Sequence, residues 1–185
     1  MPEWTIRPPE PRDVESLAAL HVAVWRNAYR GLIEQPLLDA LSVEAGVDRW
    51  AATVEQATSA EHDHTVRAAF VDDQPVGIIE VGTARDDDAP RSAEVRSLNV
   101  AGRWHGKGVA QALMAESLGT SDAYLWVLRG NDRAIGFYRK LGFELDGSER
   151  YDDVWRCFDQ RMQRPAKGPF ETPARSSRAP QGPSA

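Results

Sequence analysis

The stretch from Leu98 to Leu118 constrains the fold of this chain more than any other. The residues that lead into it, from Glu94 to Val100, form an extended apolar run. Beyond a loop, apolar side chains recur at helical spacing, at Val109, Ala112, Leu113, Met114 and Leu118. Because the apolar period changes at the loop, the pattern predicts a strand, a loop and then a helix.

The glycines of this loop indicate an anion-binding site. Gly106 and Gly108 suit positive φ or close ligand approach, and the amides of the following helix N-terminus are free to bind a phosphate. Two better-known phosphate loops do not fit. A Walker A loop needs four residues between its glycines, whereas Gly102 and Gly106 enclose three, and a dinucleotide fingerprint needs a glycine where Gln111 stands.

A second segment, Tyr124 to Phe143, makes the pattern specific. It combines a strand, a helix led by Asn131, a Phe-Tyr pair and a Leu-Gly-Phe ending. Together the two segments resemble the GNAT N-acetyltransferases, whose acyl-CoA loop reads Gln or Arg, two residues, Gly, one residue, then Gly or Ala. His105, Gly108 and Ala110 occupy those positions, and His105 departs from the usual first residue.

The resemblance covers most of residues 3 to 162. It implies an α/β (α+β) fold: a mixed, mostly antiparallel sheet of six or seven strands, splayed at its centre near Val100 and Trp126, with helices on both faces. We therefore expect one domain over residues 1–162. Residues 163–185 hold five of the twelve prolines and no apolar periodicity, which predicts a disordered tail.

The resemblance also implies acetyl-CoA as a co-substrate and no metal. The positions that match the family's cofactor site are Leu98, Asn99, Val100, His105, Gly106, Lys107, Gly108, Val109, Ala110 and Asn131. The amides of Leu98 and Val100 are implied to engage the acyl carbonyl and the pantetheine arm. Asn131 is equally suited to cap the helix that follows it.

Tyr138 matches the family's general acid, which protonates the departing thiolate after direct attack by an amine. The alternative is that Tyr138 belongs to the apolar face of its helix. Glu94, eleven residues before His105, matches a carboxylate that serves as the base in several members. It could instead pair with Arg96 or Arg91, and Glu80 is the reserve candidate.

The acceptor is expected to be a primary amine of a small molecule or peptide. Trp25 and Tyr29 resemble a family segment that walls the acceptor site, although core packing explains both aromatics equally well. His21, on the same helical face, is expected to pack rather than to react. The alternative function is an acyl-CoA-binding sensor or structural module without turnover.

The remaining patterns predict a simple order of elements. The predicted strands are 4–7, 65–71, 75–81, 92–100, 123–128, 143–145 and 154–162, and the predicted helices are one capped by Asp13 and ended by Gly31, one over 36–57 broken at Gly46, one ending at Leu118, and one ended by Gly142. The acidic run Asp86–Asp88 is expected to be a solvated loop tip rather than a metal or cation site.

Charge and cysteine content narrow the partners and the compartment. A net charge of -6 argues against a nucleic-acid partner and mildly favours cationic acceptors. The single cysteine, Cys157, permits no internal disulfide. No signal peptide or membrane span is visible, so the cytoplasm is the expected location, and a homodimer is left open.

Overall fold

A computed structural model describes residues 4–58 and 64–166. Its centre is a seven-stranded sheet with the order β1-β2-β3-β4-β5-β7-β6. The strands are β1 Thr5–Arg7, β2 His64–Val71, β3 Gln74–Thr83, β4 Ala93–Val100, β5 Ala123–Leu128, β6 Glu144–Asp152 and β7 Cys157–Arg164. Strands β4 and β5 are parallel and all other neighbours are antiparallel, which confirms the predicted mixed sheet.

Helices cover both faces of this sheet, as predicted. They are α1 Val14–Ala28, α2 Gln35–Asp39, α3 Val43–Thr58, α4 Val109–Ser117 and α5 Asp132–Lys140. Apolar side chains of α1 and α3 pack against Phe70 and Ile78 on one face. Those of α4 and α5 pack against Val76 and Ile79 on the other. We call these the α1 face and the α4 face.

The sheet opens at its centre. Strands β4 and β5 share a single register pair, Glu94 with Tyr124, and separate beyond it toward Val100 and Leu128. A β-bulge in the β3–β4 pairing leaves Arg96 without a partner in the register. Because side chains alternate between faces, the bulge changes which β4 residues face α1 beyond it. The expected central splay is thereby confirmed.

Two predictions about the helices are wrong. The chain breaks between α2 and α3 at Ala40–Ser42, while Gly46 lies inside α3, where a Cβ would come within 3.2 Å of Ala18. This glycine serves close helix packing rather than a break. Asp13 precedes α1 but does not cap it with its side chain, which instead bonds Arg7 and the amide of Glu10.

The last hairpin is longer than predicted. Strand β6 runs to Asp152 rather than stopping at Leu145, and β7 runs two residues past the predicted domain boundary, to Arg164. Arg164 is buried and donates to the carbonyl oxygens of Gly119, Ser121 and Leu141. The predicted tail therefore begins too early, and its residues 167–185 lie outside the described part of the chain.

The acidic run is exposed at Asp87 and Asp88, as expected of a solvated tip. It is also hydrogen-bonded: Asp86 accepts from Trp126 Nε1 at 2.7 Å, and Asp88 pairs with Arg161 at 2.9 Å. These bonds tie the loop between β3 and β4 to the α1 face of β5 and β7. Among the helices within the described ranges, none has the length and apolar character needed to cross a lipid bilayer.

Candidate functional site

A cleft of about 690 Å³ surrounds the gap between β4 and β5. Every site residue predicted from the sequence lines it except Lys107; these are Trp25, Tyr29, Glu94, Leu98, Asn99, Val100, His105, Gly106, Gly108, Val109, Ala110, Asn131 and Tyr138. Positions spread over more than a hundred residues of sequence therefore meet at one opening in the sheet.

The exposed edge of β4 offers backbone donors to this gap. The amide of Ala101 donates to Val76 in β3 at 2.9 Å. Because successive amides of a strand point in opposite directions, those of Leu98 and Val100 point away from β3. That direction is the gap, since β5 has separated from β4 at this level.

The N-terminus of α4 supplies further donors. Gly106 and Gly108 have φ of 71° and 89°, so the left-handed backbone expected of these glycines is present. No oxygen in residues 4–58 or 64–166 accepts a hydrogen bond from the amides of Gly106, Gly108, Val109, Ala110 or Gln111. Free amides at a helix N-terminus bind anions, so this loop fits the diphosphate of a nucleotide cofactor.

His105 ties the loop to its neighbours. Its Nε2 lies 2.9 Å from the carbonyl oxygen of Val100, and its Nδ1 faces the guanidinium group of Arg133 at the start of α5. Since the carbonyl only accepts and the guanidinium only donates, the neutral ring carries its proton on Nε2. A residue that departs from the family pattern thus joins β4 to α5 beside the free amides.

Two other predicted cofactor residues have structural partners. The side chain of Asn131 accepts a hydrogen bond from the amide of Ala134 at 3.3 Å and so caps α5, as one of its two expected roles requires. Lys107 lies outside the cleft lining, with Nζ 4.8 Å from the ring centre of Trp104. Because Lys107 lies between Gly106 and Gly108 in the sequence, it is still a neighbour of the free amides.

Tyr138 lies on the buried side of α5, 8% exposed, against Phe137 and Phe143. Burial, and then the nearby Tyr29, raise the pKa of its phenol well above the ordinary value. In the part of the chain that the structure describes, no group bonds its hydroxyl. A phenol that stays protonated, has no hydrogen-bond partner and lines the cleft is able to donate its proton to a bound molecule.

Glu94 is 2% exposed and has a different partner from those expected. Both of its oxygens accept from Arg85, at 2.7 Å each, rather than from Arg96 or Arg91. The carboxylate of Glu94 in turn raises the pKa of Arg85. Because Arg85 engages both oxygens, Glu94 is less available to accept a proton from another group.

Glu80, the reserve candidate, does not line the cleft. Its carboxylate lies 3.0 Å from His64 Nε2 and 3.7 Å from Arg96. Burial opposes its ionisation, but the hydrogen bond and charge of His64, with Arg96, outweigh it, and the pKa of Glu80 is lowered. Its position and partners indicate a structural carboxylate.

Trp25 and Tyr29 pack against each other and also line the cleft. Their rings pack edge to face at 4.9 Å, and Trp25 contacts Trp155 at 4.8 Å, while both line the cleft on the α1 face. Burial, and then the charges of Asp159 and Cys157, raise the pKa of Tyr29 to about 12. His21 packs behind Trp25 at 4.8 Å, as expected.

Sequence reasoning missed several residues of the cleft. Arg85, Trp126, Arg133, Arg150, Trp155 and Asp159 all line it. Trp126 and Arg133 lie within the Tyr124–Phe143 segment but received no role in the site, and the other four belong to no local motif. Strand register and loop packing bring all six together. Asp159 carried one usable signal: it occupies an alternate position in a strand, where it shares a face with Arg161.

Comparison with known protein families gives a match over the segment that contains most of the cleft-lining residues. Residues 25–143 match the family model described as "Acetyltransferase (GNAT) family". A probable N-acetyltransferase of Mycobacterium tuberculosis is 28% identical over 145 residues, which cover 77% of this chain and 80% of that protein.

Solved structures agree on the fold. PaiA N-acetyltransferase from Thermoplasma acidophilum, crystallised in complex with coenzyme A, has a TM-score of 0.72 at 20% identity, covering 88% of this chain and 99% of that one. An acetyltransferase from Thermus thermophilus has a TM-score of 0.60 at 23% identity, covering 88% and 96%. At these identities the likeness concerns the fold.

Proposed function

Because the chain belongs to the acetyltransferase (GNAT) family and is an acyltransferase, we propose that it moves an acetyl group from acetyl-CoA to a primary amine of a small molecule or peptide. The observation that carries the proposal is the presence of two groups of unpaired backbone donors along one side of the cleft. The amides of Leu98 and Val100 lie at the gap, and the second group lies at the N-terminus of α4. An acyl-CoA has a carbonyl at one end of its pantetheine arm and phosphates at the other, in the same order. The coenzyme A bound to the Thermoplasma relative supports this choice.

The binding role belongs mainly to the backbone. The amides of Gly106 and of Gly108 to Gln111 would hold the diphosphate, and those of Leu98 and Val100 would hold the acyl carbonyl. Acetyl-CoA would supply the thioester that the amine attacks. The aromatic rings of Trp25 and Tyr29 would wall the acceptor side.

Direct attack on a thioester needs an acid for the leaving sulfur. Tyr138 is our choice, since its phenol is protonated at neutral pH and unbonded within the described residues. A base must also take a proton from the acceptor ammonium. Glu94 was the residue expected for that role, but it can act only if Arg85 releases part of its carboxylate.

The test is thiol release from acetyl-CoA with a panel of alkylamines, aminoglycosides and peptides with free N-termini. Tyr138→Phe keeps the ring and removes the oxygen, so turnover should fall roughly 10² to 10⁴-fold with acetyl-CoA affinity within a few-fold. Tyr151→Phe is the matched control, because Tyr151 is 50% exposed on β6. Binding of acetyl-CoA without acetylation of any amine would favour a binding module, and full turnover of Tyr138→Phe would return that residue to the core.

A further inference from the structure

The cleft extends from the gap along the α1 face of the sheet. Helices α4 and α5 pack on the opposite face. On the α1 face the helices reach the turn end of the β6–β7 hairpin, where Trp25 contacts Trp155, and the cleft extends beside them to Arg150, Asp152 and Asp159. An amine bound on that side is next to the gap.

Strand register places Asp159 at this point. Asp159 pairs with Leu128 in β5 and with Arg150 in β6, so its side chain shares the α1 face with theirs. Across the gap, Asn99 pairs with Ile78 and shares the same face. Glu94, in contrast, pairs with Tyr124, and four residues of strand put Tyr124 roughly 13 Å from Leu128, toward the closed end of the gap.

The carboxylate of Asp159 is incompletely satisfied. Its side chain is 17% exposed, and Oδ2 accepts from Arg150 Nε at 3.2 Å. Oδ1 accepts no hydrogen bond from any group in residues 4–58 and 64–166. Arg150 is also shared, since it lies 4.3 Å from the ring centre of Trp126 and 3.9 Å from Asp86. Asp159, which lines the cleft, therefore keeps one acceptor oxygen without a partner among the described residues.

We propose that Asp159, rather than Glu94, binds the ammonium group of the acceptor and takes its proton. This inference deepens the proposed function and rests on it. In the step, one N–H bond of the ammonium breaks and an O–H bond to Asp159 forms, which leaves a neutral amine to attack the thioester. Solvent at the open side of the cleft then receives the proton.

The surroundings of Asp159 suit both parts of this role. Burial raises its pKa above the ordinary value; Arg150 opposes the rise and the charge of Asp152 adds to it. A carboxylate with a raised pKa accepts a proton more readily than one with the ordinary value. The other groups that face it are the neutral thiol of Cys157 and the phenol of Tyr29.

The neighbouring rings specify the rest of the acceptor. Trp25, Tyr29 and Trp155 line the same end of the cleft and present aromatic surface beside the carboxylate. Aromatic faces attract both apolar groups and cations. The acceptor class is therefore a primary alkylamine whose ammonium group is attached to an apolar or aromatic body.

The test measures amine binding to the full chain in the presence of coenzyme A, with 2-phenylethylamine as the probe and 2-phenylethanol as its uncharged counterpart. Asp159→Asn keeps the shape and removes the charge, so we expect amine affinity to fall about 10- to 100-fold and alcohol affinity to stay the same. Asp153→Asn is the matched control, because Asp153 is an exposed residue of the same hairpin that lies outside the cleft lining, and the substitution removes the same charge. Amine affinity should stay unchanged in that variant.

The pH dependence distinguishes binding by Asp159 from a structural role. Amine affinity should be lost as pH falls through the pKa of Asp159, because the protonated acid no longer attracts the cation. Asp152→Asn removes a charge that raises this pKa, so the loss should move to lower pH. Unchanged amine affinity in Asp159→Asn, or equal wild-type affinity for amine and alcohol, would overturn the proposal. Thermal stabilisation by acetyl-CoA, measured in parallel, tests the proposed function separately.

Discussion

The guanidinium group of Arg85 holds both carboxylate oxygens of Glu94 at 2.7 Å, nine residues apart in sequence and across the loop between β3 and β4. The Glu94 side chain is 3% exposed and that of Arg85 is 57% exposed. One partner of the pair is therefore buried and depends on the other, which reaches it from the surface.

Arg85→Gln should consequently destabilise the protein. Removing the guanidinium leaves a buried carboxylate with poorer hydrogen bonding, at a cost of about 1–3 kcal/mol in the free energy of unfolding. Arg129→Gln is the control, because Arg129 and Glu149 form an exposed pair 3.4 Å apart, worth at most about 1 kcal/mol. Urea denaturation measures both, and equal small losses would contradict the dependence of Glu94 on Arg85.

Gly108→Asp should abolish thermal stabilisation by acetyl-CoA. The substitution puts a side chain and a negative charge at a helix N-terminus proposed to hold phosphates. Gly147→Asp is a matched control. The φ of Gly147 is 88° against 89° at Gly108, and a Cβ at either position would meet nothing within 4 Å. Gly147, however, lies in β6 outside the cleft lining. Both variants should lose similar intrinsic stability, and only Gly108→Asp should lose the ligand response. A retained response in folded Gly108→Asp would refute the phosphate placement.

Gly136→Ala should have opposite effects on the free and the liganded protein. Gly136 lies inside α5 and lines the cleft, and a Cβ there would meet nothing within 4 Å. Alanine should therefore raise the stability of the free protein by about 0.5–1 kcal/mol. If a ligand approaches this backbone closely, acetyl-CoA affinity should fall. Differential scanning fluorimetry with and without acetyl-CoA reads both effects, and a rise in stability with unchanged affinity would remove the ligand from this position.

The end of the domain can be located by truncation. Ending the chain after Ala166 should leave the melting temperature nearly unchanged, whereas ending it after Met162 should lower it by several degrees. The second truncation removes Arg164. This buried residue donates hydrogen bonds to backbone carbonyl oxygens, and its guanidinium group lies 4.9 Å from the ring centre of Phe143. The carbonyl oxygens of Gly119, Ser121 and Leu141 then lose their donor, which lowers stability. Equal melting temperatures would show that the last two residues of β7 contribute little to stability.

His21 should make stability depend on pH. Burial, and then the charge of Arg49, lower its pKa to about 4 from an ordinary 6.5. Between these values the unfolded chain binds a proton that the folded chain excludes. Stability is thus complete above about pH 6.5 and is lost as pH falls toward 4, by up to about 3 kcal/mol. His21→Leu should flatten this slope, because it removes the group that titrates. The variant should still fold, since Nδ1 of His21 has no hydrogen-bond partner among the described residues. An unchanged slope in denaturation at pH 7 and pH 5 would assign the effect to other groups.

Short-range features were predictable because they depend on neighbouring residues. The change of apolar period at the glycine loop, the left-handed Gly108 and the Asn131 cap of α5 all appear in the structure where the sequence indicated them. The left-handed pair Asp72 and Asp73 likewise closes the hairpin predicted there. Each of these follows from the conformation that one residue type, or one spacing, permits.

The limits were set by contacts between distant strands. Asp13 and Gly46 were misassigned because Arg7 and Ala18, which explain them, lie on other elements. No role in the site was predicted for Arg85 or Asp159, since neither belongs to a local motif.

The amino-acid order by itself determined the strand, loop and helix that build the end of the cleft proposed to hold phosphates, because backbone geometry and apolar spacing act over a few residues. Only the tertiary structure decided which carboxylate lies free on the proposed acceptor side. Strand register and the bulge at Arg96 set the side-chain faces, and Arg85 then occupies Glu94 while Asp159 keeps a free oxygen. Register depends on the packing of the whole sheet, so no stretch of sequence contains it.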